Sequence, residues 1–399
     1  MRHLAAGPTA VAAFATLALG SACVGPLRRS PFPIDRGASR AMDTRALSDS
    51  ISVLLTRGVR DSAFPGAIAV VGTKYGVVVT QSVGQLDWTR SPMPGPSTLW
   101  DLASLTKVVG LTSAMMLLVE SGSINLDAPV QRYLPEWRGA GKERVTVRHL
   151  LTHSSGLPAW RPLYKESDGP ERALALVLET PLDTVPGLRM VYSDLGAILL
   201  GQIVVRVAGV PFETFLATRV FGPLGMNETL FRPRSGLVGR VAPTEVDPWR
   251  GRHLRGEVHD ENAFALGGVS AHAGLFSSAR DLVRLARMYL SDGSLDGRRL
   301  LRPETIARFT SLQDSTLSHR ALGWEKPNGT NSAGHHMSPS AFGHTGFTGT
   351  SLWIDPERGV FVLLLTNRVN PTREHRGIVG VRIAVADAAL GAVLTGPAR

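Results

Sequence analysis

Two hairpin-like segments near opposite ends of the chain constrain the fold most. GAIAVVGTKYGVVVTQSVG, residues 66–84, contains two β-rich runs joined by a turn with a glycine, and GTSLWIDPERGVFVLLLTNRV, residues 349–369, contains two apolar runs around a polar turn. The chain between them has mostly helical spacing with many Pro and Gly breaks. The pattern therefore predicts an α/β fold of the α+β type. Its antiparallel β-sheet is built from both ends, flanked by helices and interrupted by an inserted, mostly helical region.

This pattern predicts one domain over residues 46–397, with its sheet part at about 46–110 and 280–397 and its helical part at about 111–279. Apolar residues make up 43% of the chain and charged residues 19%, which is ordinary for a globular protein with a core. The net charge of +10 comes mainly from scattered arginines, since only five of the 43 basic residues are lysine. No basic helix or aromatic-rich basic run accompanies them, so no nucleic-acid partner is expected.

The beginning of the chain is typical of an exported protein. Residues 1–22 combine a short basic start, an apolar stretch and small residues, which predicts a secretory signal peptide. Cys23, the only cysteine, follows Leu-Gly-Ser-Ala and resembles the lipidated cysteine of bacterial lipoproteins. Simple cleavage after Ala22 is the alternative. Residues 23–45 predict a flexible tether. We therefore expect a periplasmic or cell-surface protein that contacts the membrane only through a lipid anchor.

The segment WDLASLTK, residues 100–107, places a serine three residues before a lysine at the start of an apolar run with helical spacing. Asp101 is an N-cap type of residue, so Ser104 is expected in the first helical turn, near the dipole end that favours an oxyanion. Lys107 shares the face of Ser104, and burial in an apolar helix is expected to lower its pKa and make it a proton acceptor. The alternative is a solvated lysine, because this spacing also arises by chance.

Two later motifs support the first interpretation. Tyr192-Ser193-Asp194 and His344-Thr345-Gly346 follow Ser104 in chain order. The three motifs resemble the Ser-x-x-Lys, Tyr-x-Asn and Lys-Thr-Gly motifs of the penicillin-recognising serine hydrolases, in the order of the class C β-lactamase and D-alanyl-D-alanine carboxypeptidase superfamily. Segments 145–158 and 266–282 are also similar to that family, so the resemblance extends from about residue 47 onward. It implies a β-lactamase/transpeptidase-like fold and a serine hydrolase without cofactor or metal, acting as a monomer.

The resemblance also implies roles for the residues of the first two motifs. Ser104 is expected to be the acylated nucleophile. Lys107 is expected to assist its deprotonation, and Tyr192 to shuttle the proton, with its phenolate stabilised by Lys107. Taken alone, Tyr192 is better explained as a core tyrosine with a hydrogen-bonded hydroxyl group, and only the resemblance favours the catalytic role.

The third motif is expected to form the edge of the cleft. His344, Thr345 and Gly346 would lie on an edge strand that recognises a substrate carboxylate or steadies the tyrosine. The backbone N–H groups of Ser104 and Phe347 would form the oxyanion hole. The alternative is a strand-edge turn in which glycine merely permits close approach of the backbone.

Two positions depart from the motifs of the β-lactamases. Asp194 stands where they have Asn, and a carboxylate cannot donate a hydrogen bond to a substrate carbonyl, although it can pair with Lys107 or with a substrate N–H. His344 stands where many members have Lys. Both changes favour a peptidase, amidase or esterase. Residues 255–268 resemble the branch that includes exported N-acetylmuramyl-L-alanine amidases, where His259 could line the pocket or could only stabilise a loop.

The sequence therefore predicts an exported serine hydrolase that cleaves an amide or ester bond through an acyl-enzyme, on cell-wall peptides or small esters. One alternative is a true β-lactamase. Another is a cell-wall-binding module or scaffold that kept the fold without turnover. His335 and His336 lie near His344, but no carboxylate or cysteine is spaced to complete a metal site with them.

Overall fold

The computed structural model describes residues 32–37 and 43–395. The predicted signal peptide, Cys23 and most of the predicted tether lie outside these residues. The α-helices are α1 Thr44–Arg60, α2 Ser113–Glu120, α3 Val147–Leu151, α4 Leu163–Glu166, α5 Pro170–Glu179, α6 Asp194–Ala208, α7 Phe212–Leu216, α8 Gly222–Leu224, α9 Glu261–Ala265, α10 Ala279–Leu290, α11 Pro303–Thr310 and α12 Ile378–Thr395. The strands are β1 Gly66–Thr73, β2 Gly76–Gly84, β3 Trp100–Asp101, β4 Leu230–Phe231, β5 Val246–Asp247, β6 Arg252–His253, β7 Leu275–Ser277, β8 Ser294–Leu295, β9 Arg298–Arg299, β10 Phe342–Thr345, β11 Ser351–Asp355 and β12 Val360–Thr366.

The largest sheet of the described residues joins the two ends of the chain. Its strand order is β10-β11-β12-β1-β2, and every neighbouring pair is antiparallel. Both predicted hairpins are present, as β1–β2 and β11–β12, and Ala67 of β1 pairs with Thr366 of β12. The predicted fold class is therefore confirmed.

The sheet is covered on both faces because side chains alternate along its strands. On one face, Ala69 of β1 packs in the same cluster as Leu55 of α1 and Leu390 of α12. On the other face, Ile68 and Val70 join the large cluster that runs through the helical region. The apolar residues of β1 are buried on both faces, which explains why that strand is apolar at nearly every position.

The central region contains structure that the hydrophobic pattern did not reveal. A small sheet in the order β3-β7-β4 lies beside the helices, and its strands have only two or three residues, too few for an alternating pattern to be visible. The apolar segment Ala103–Glu120 has the length and composition of a membrane span, but 78% of it is buried inside the protein, so it is a core segment here.

The segment before that core run ties the sheet to the helical region. The backbone N–H of Leu102 donates to the carbonyl oxygen of Leu275 in β7 at 2.9 Å. The hydroxyl of Thr350, next to β11, donates to the carbonyl oxygen of Leu102 at 3.0 Å. The residues that follow Leu102 are therefore held at the boundary between the two parts of the fold.

Candidate active site

Ser104 lies in a tight turn whose backbone is strained and pinned. It belongs to the 3-10 turn Ala103–Leu105, and Ala103 has φ +45°, which is uncommon for a residue with a Cβ atom. Asp101 accepts hydrogen bonds from the N–H groups of Ala103 at 2.8 Å and His259 at 2.7 Å. The Asp101 side chain therefore accepts a hydrogen bond from the backbone N–H two residues later in the chain, as a capping residue does. Strain held by surrounding contacts is typical of functional turns.

Lys107 points back toward Ser104 from the next turn. A π-helical turn over Lys107–Thr112 replaces the regular helix that the pattern predicted. Lys107 Nζ lies 3.0 Å from Ser104 Oγ and 2.9 Å from the carbonyl oxygen of His272. It also forms an ion pair with Asp194 Oδ1 at 2.7 Å, and its side chain is only 3% exposed.

The charge of Lys107 differs from the sequence-based expectation. Burial has the largest single effect and lowers the pKa of this ammonium group, but Asp194 and Tyr192 together outweigh it, so the pKa lies above its ordinary value. The expectation of a lowered pKa is wrong because the helix face is not purely apolar: a carboxylate from α6 reaches it. The raised pKa favours a protonated Lys107 beside Ser104.

Tyr192 stands on the open side of this pair. Its hydroxyl oxygen is buried and interacts with the ammonium group of Lys107. Two cations face its ring, with Lys107 Nζ at 5.0 Å and the Arg320 guanidinium carbon at 5.1 Å from the centroid. The rings of His153 and His344 pack on it at centroid distances of 4.5 and 5.8 Å. Two cations and two imidazole rings thus surround the Tyr192 ring.

The end of β10 approaches the Ser104 turn closely. A Cβ atom on Gly346 would lie 2.3 Å from the carbonyl oxygen of Leu102 and 2.2 Å from Thr350 Oγ1, so only glycine fits. The ring of His344 is buried, and its Nδ1–H donates to the carbonyl oxygen of Thr345 at 2.8 Å. Burial and the nearby cations Arg320 and Lys107 hold the pKa of His344 well below its ordinary value, so the ring is neutral.

These residues line one open cleft of about 480 Å³. Of the residues that the sequence singles out, its walls contain Ser104, Tyr192, His344, Thr345, Gly346 and Phe347. Lys107 and Asp194 lie beneath them as the buried ion pair. Four arginines also line the cleft, and the sequence motifs revealed none of them: Arg320, Arg368, Arg376 and Arg382.

His259 does not line the cleft. Its ring is buried, stacks on Phe347 at a centroid distance of 5.8 Å, and contacts Glu245 Oε2 at 2.9 Å. Glu245 also accepts hydrogen bonds from Arg373. His259 thus supports the cleft wall from behind, as in the loop-stabilising interpretation of the sequence.

A further buried chain of polar groups supports Lys107. The hydroxyl of Ser270 lies 2.7 Å from His272 Nδ1, and His272 Nε2 lies 2.9 Å from Asp260 Oδ1. Asp194, Asp260 and His272 bring their ligand atoms within 4.8 Å of one another, a spacing that could hold a cation. The ammonium of Lys107 already contacts Asp194 there, so the lysine supplies positive charge to this cluster.

The antiparallel sheet, the inserted helical region and the Ser-Lys-Tyr cluster are together typical of penicillin-recognising hydrolases. The β-lactamase family profile matches residues 51–386. The chain belongs to the β-lactamase family, and it is a serine hydrolase by that membership.

Individual relatives agree with this assignment. The N-acetylmuramyl-L-alanine amidase of Bacillus subtilis (strain 168) is 33% identical over 348 residues, which cover 77% of this chain and 78% of the relative. A protein of Escherichia coli (strain K12), named as a candidate D-alanyl-D-alanine carboxypeptidase, is 34% identical over 68% of this chain and 69% of its own length. The fold matches a penicillin-binding protein homologue from Caulobacter crescentus with a TM-score of 0.70, at 22% identity, covering 87% of this chain and 97% of that one.

Proposed function

We propose that this protein is an exported serine hydrolase that cleaves an amide or ester bond through an acyl-enzyme on Ser104. The observation that carries the proposal is the contact of Lys107 Nζ with Ser104 Oγ at 3.0 Å, inside a cleft that Tyr192 also lines. A nucleophile, a fixed cation and a buried hydroxyl at one point are what acyl transfer requires.

The proposed steps follow from the charges. In the proposed mechanism Lys107 stays protonated, and the Tyr192 oxygen acts as a phenolate that accepts the proton from Ser104 Oγ–H. Ser104 Oγ then attacks the carbonyl carbon, and the N–H groups of Ser104 and Phe347 are proposed to bind the resulting oxyanion. Tyr192 returns the proton to the leaving nitrogen or oxygen as that bond breaks. A water molecule hydrolyses the acyl-enzyme by the same route and regenerates Ser104.

The substrate class follows from the relatives and from two residues of the site. The relatives are named for cell-wall amide hydrolysis, so we propose cell-wall peptides as the physiological substrates, with small esters as surrogates. Asp194 is committed to Lys107 and cannot donate to the side-chain carbonyl of a β-lactam. His344 is neutral and offers no ammonium for a β-lactam carboxylate. These features support an amidase or peptidase over an efficient β-lactamase.

Active-site labelling tests the nucleophile. A fluorophosphonate probe should add one label to the wild-type protein and none to Ser104→Ala, as measured by intact mass. Ser315→Ala, at an exposed serine, is the matched control and should label like the wild type. Equal labelling of Ser104→Ala and wild type would remove Ser104 from the mechanism. A wild type that neither labels nor hydrolyses p-nitrophenyl acetate would favour the non-catalytic binding module.

Export is tested separately. Cys23→Ser should move the mature protein from the membrane to the soluble exported fraction if Cys23 carries a lipid. A wild-type protein found wholly in the soluble exported fraction would instead support simple cleavage after Ala22.

A further inference from the structure

A short segment ahead of α1, residues 32–37, is attached to the edge of the large sheet. The backbone N–H of Val77 in β2 donates to the carbonyl oxygen of Pro33 at 2.7 Å, and the N–H of Asp35 donates to the carbonyl oxygen of Val77 at 3.0 Å. Asp35 is buried, and its carboxylate accepts a hydrogen bond from the hydroxyl of Thr73. This part of the predicted tether is therefore fixed beside the β1–β2 turn.

The register of the sheet places this attachment and the cleft at opposite ends of the strands. Thr73, beside the attached segment, pairs with Val360, and Val360 pairs with Asp355 at the end of β11. At the start of β11, Ser351 pairs with Thr345, which lines the cleft. The four residue steps along β11 separate the two ends by about 13 Å. The β1–β2 turn therefore faces away from the cleft.

The chain length between Cys23 and the attached segment limits how far a lipid anchor can be from the domain. Eight residues separate Cys23 from Phe32. An extended chain spans at most about 3.6 Å per residue, so a lipid on Cys23 would keep the attached end of the sheet within about 30 Å of the bilayer. At that distance a second, weak contact with the same bilayer forms at a high effective concentration.

The exposed side chains at this end of the sheet suit a layer of lipid headgroups. Ile34 and Tyr75 are 53% and 64% exposed. Arg36 and Lys74 are exposed cations, and Lys74 Nζ lies 5.2 Å from the centroid of the Tyr75 ring. Tyrosine rings are favoured at the level of the headgroups, and basic side chains are attracted to anionic phosphates there. Asp35, the acidic residue of the attached segment, is buried.

We propose that this end of the sheet is a membrane-docking surface for the anionic bilayer in which the Cys23 lipid is inserted. The docking surface consists of Ile34, Arg36, Lys74 and Tyr75. The proposal rests on the proposed lipid anchor and adds a protein contact to it. This contact is too small to hold the protein without the lipid. Docking here directs the cleft away from the bilayer, toward the side from which cell-wall peptides approach.

Quenching by a nitroxide on the lipid headgroup measures this orientation. The lipidated protein is reconstituted in vesicles of phosphatidylcholine and phosphatidylglycerol at about 3:1, with a dye on one introduced cysteine. Glu357→Cys places the dye in the exposed β11–β12 turn at the docking end, and Val379→Cys places it at a 51% exposed position that lines the cleft. Because Cys23 is the only native cysteine and carries the lipid, the dye labels the introduced thiol. Quenching should be at least about threefold stronger at Glu357→Cys.

Variants of the docking surface test its residues. Lys74→Glu/Tyr75→Ser should lower quenching at Glu357→Cys by about half or more, as should about 500 mM NaCl or vesicles of phosphatidylcholine alone. Lys165→Glu is the matched control, because Lys165 Nζ also lies over a tyrosine ring, at 5.5 Å from its centroid, and this variant should keep the wild-type quenching. Urea unfolding checks that both variants are folded. Unchanged quenching in Lys74→Glu/Tyr75→Ser would overturn the docking surface.

Intact mass separates the failure of this proposal from the failure of the proposed anchor. A protein without lipid on Cys23 would overturn both, since nothing would hold the docking surface at the bilayer. A lipidated protein with equal quenching at Glu357→Cys and Val379→Cys would overturn docking alone. The anchor and the hydrolase proposal would then still stand.

Discussion

At the scale of the residue, the charge of Lys107 depends on a carboxylate that is distant in the sequence. Asp194 Oδ1 lies 2.7 Å from Lys107 Nζ in a largely buried setting, and this contact keeps the pKa of the lysine above its ordinary value. Without that carboxylate, burial would be opposed only by Tyr192, so the pKa of Lys107 would fall and the positive charge beside Ser104 would be held less firmly.

Asp194→Asn tests this dependence. We expect kcat/KM for p-nitrophenyl acetate to fall by about tenfold or more, because the variant weakens the positive charge held beside Ser104. The pKa of Lys107 should fall, so loss of activity at alkaline pH should begin at lower pH than in the wild type. The pH dependence of kcat/KM between about pH 6 and pH 10.5 measures this shift.

Asp127→Asn is the control for Asp194→Asn, because it breaks an ion pair with Arg148 in which the aspartate is 62% exposed. The control should leave the pH profile unchanged. If Asp194→Asn keeps both the rate and the profile of the wild type, Asp194 does not set the charge of Lys107.

The sequence identifies the motif residues of the site but not their charges. Ser104 and Lys107 are recognisable because they are adjacent on one turn, and Tyr192 follows in a short motif. The raised pKa of Lys107 was missed because burial and counter-charge depend on which segment packs against the turn. Arg320 was missed because it belongs to no motif, and only the fold places it on the ring of Tyr192.

At the scale of the element, the end of β10 sets the width of the cleft. Gly346→Ala would place a methyl group against Thr350 Oγ1 and the Leu102 carbonyl oxygen, at 2.2 and 2.3 Å. We expect the strand end to move away from the Ser104 turn and kcat/KM to fall about 10- to 100-fold, since displacements of about 1 Å have such effects. Overpacking should also cost about 1–3 kcal/mol of unfolding free energy, measured by denaturant titration.

Gly380→Ala is the matched control for Gly346→Ala. No atom lies within 4 Å of a Cβ placed on Gly380 in α12. This variant should keep the wild-type kcat/KM and be equally stable, or up to about 1 kcal/mol more stable. Wild-type activity in Gly346→Ala would show that the strand end accommodates a side chain and does not position the turn.

The elements themselves were predictable in proportion to their length. The hairpins β1–β2 and β11–β12 contain long apolar runs bounded by turn residues, and α1 has helical spacing over several turns. The strands β3, β4 and β7 are held by neighbours distant in sequence, and two or three residues carry no period. The π-helical turn at Lys107–Thr112 has the same apolar composition as a regular helix, so the pattern could not distinguish them.

At the scale of the whole molecule, the polar cluster behind the cleft links distant segments and makes stability depend on pH. Burial on its own raises the pKa of Glu245. Hydrogen bonds from His259 and Arg373 together outweigh burial and lower the pKa from its ordinary value of 4.5 to about 2. The folded-state pKa is depressed, so this stabilisation is fully present above pH 4.5 and is lost as the pH falls toward 2.

Glu245→Gln should therefore destabilise the protein by on the order of 3 kcal/mol at both pH 7 and pH 5, and by progressively less below about pH 4.5. Urea unfolding of wild type and variant at about pH 7, 5, 4 and 3 measures the difference. Glu374→Gln, in the exposed pair with Arg376, should have little effect at any pH. A difference between wild type and Glu245→Gln that is constant with pH would contradict the linkage.

The positive net charge predicts that kcat/KM for anionic substrates depends on the salt concentration. The chain carries +10, and arginines line the cleft. Long-range attraction should raise kcat/KM for anionic substrates at low salt, because counter-ions screen it beyond about 10 Å at 0.1 M. Between about 20 mM and 500 mM NaCl, kcat/KM should fall several-fold for N-acetylalanyl-alanine and change little for p-nitrophenyl acetate. Equal salt dependence for both substrates would point to a general effect on the enzyme.

The pairing of Ala67 with Thr366 has a consequence for biosynthesis. A ribosome adds about 5–20 residues per second, so β1 waits roughly 15 to 60 s for the strand that completes its edge. During that interval Ser104 has been made, but the wall with His344 and Gly346 has not, and the loop to be closed is long, which slows folding. The growing chain therefore has no assembled cleft. Hydrolysis can begin only after the last strands have been synthesised and have joined the sheet.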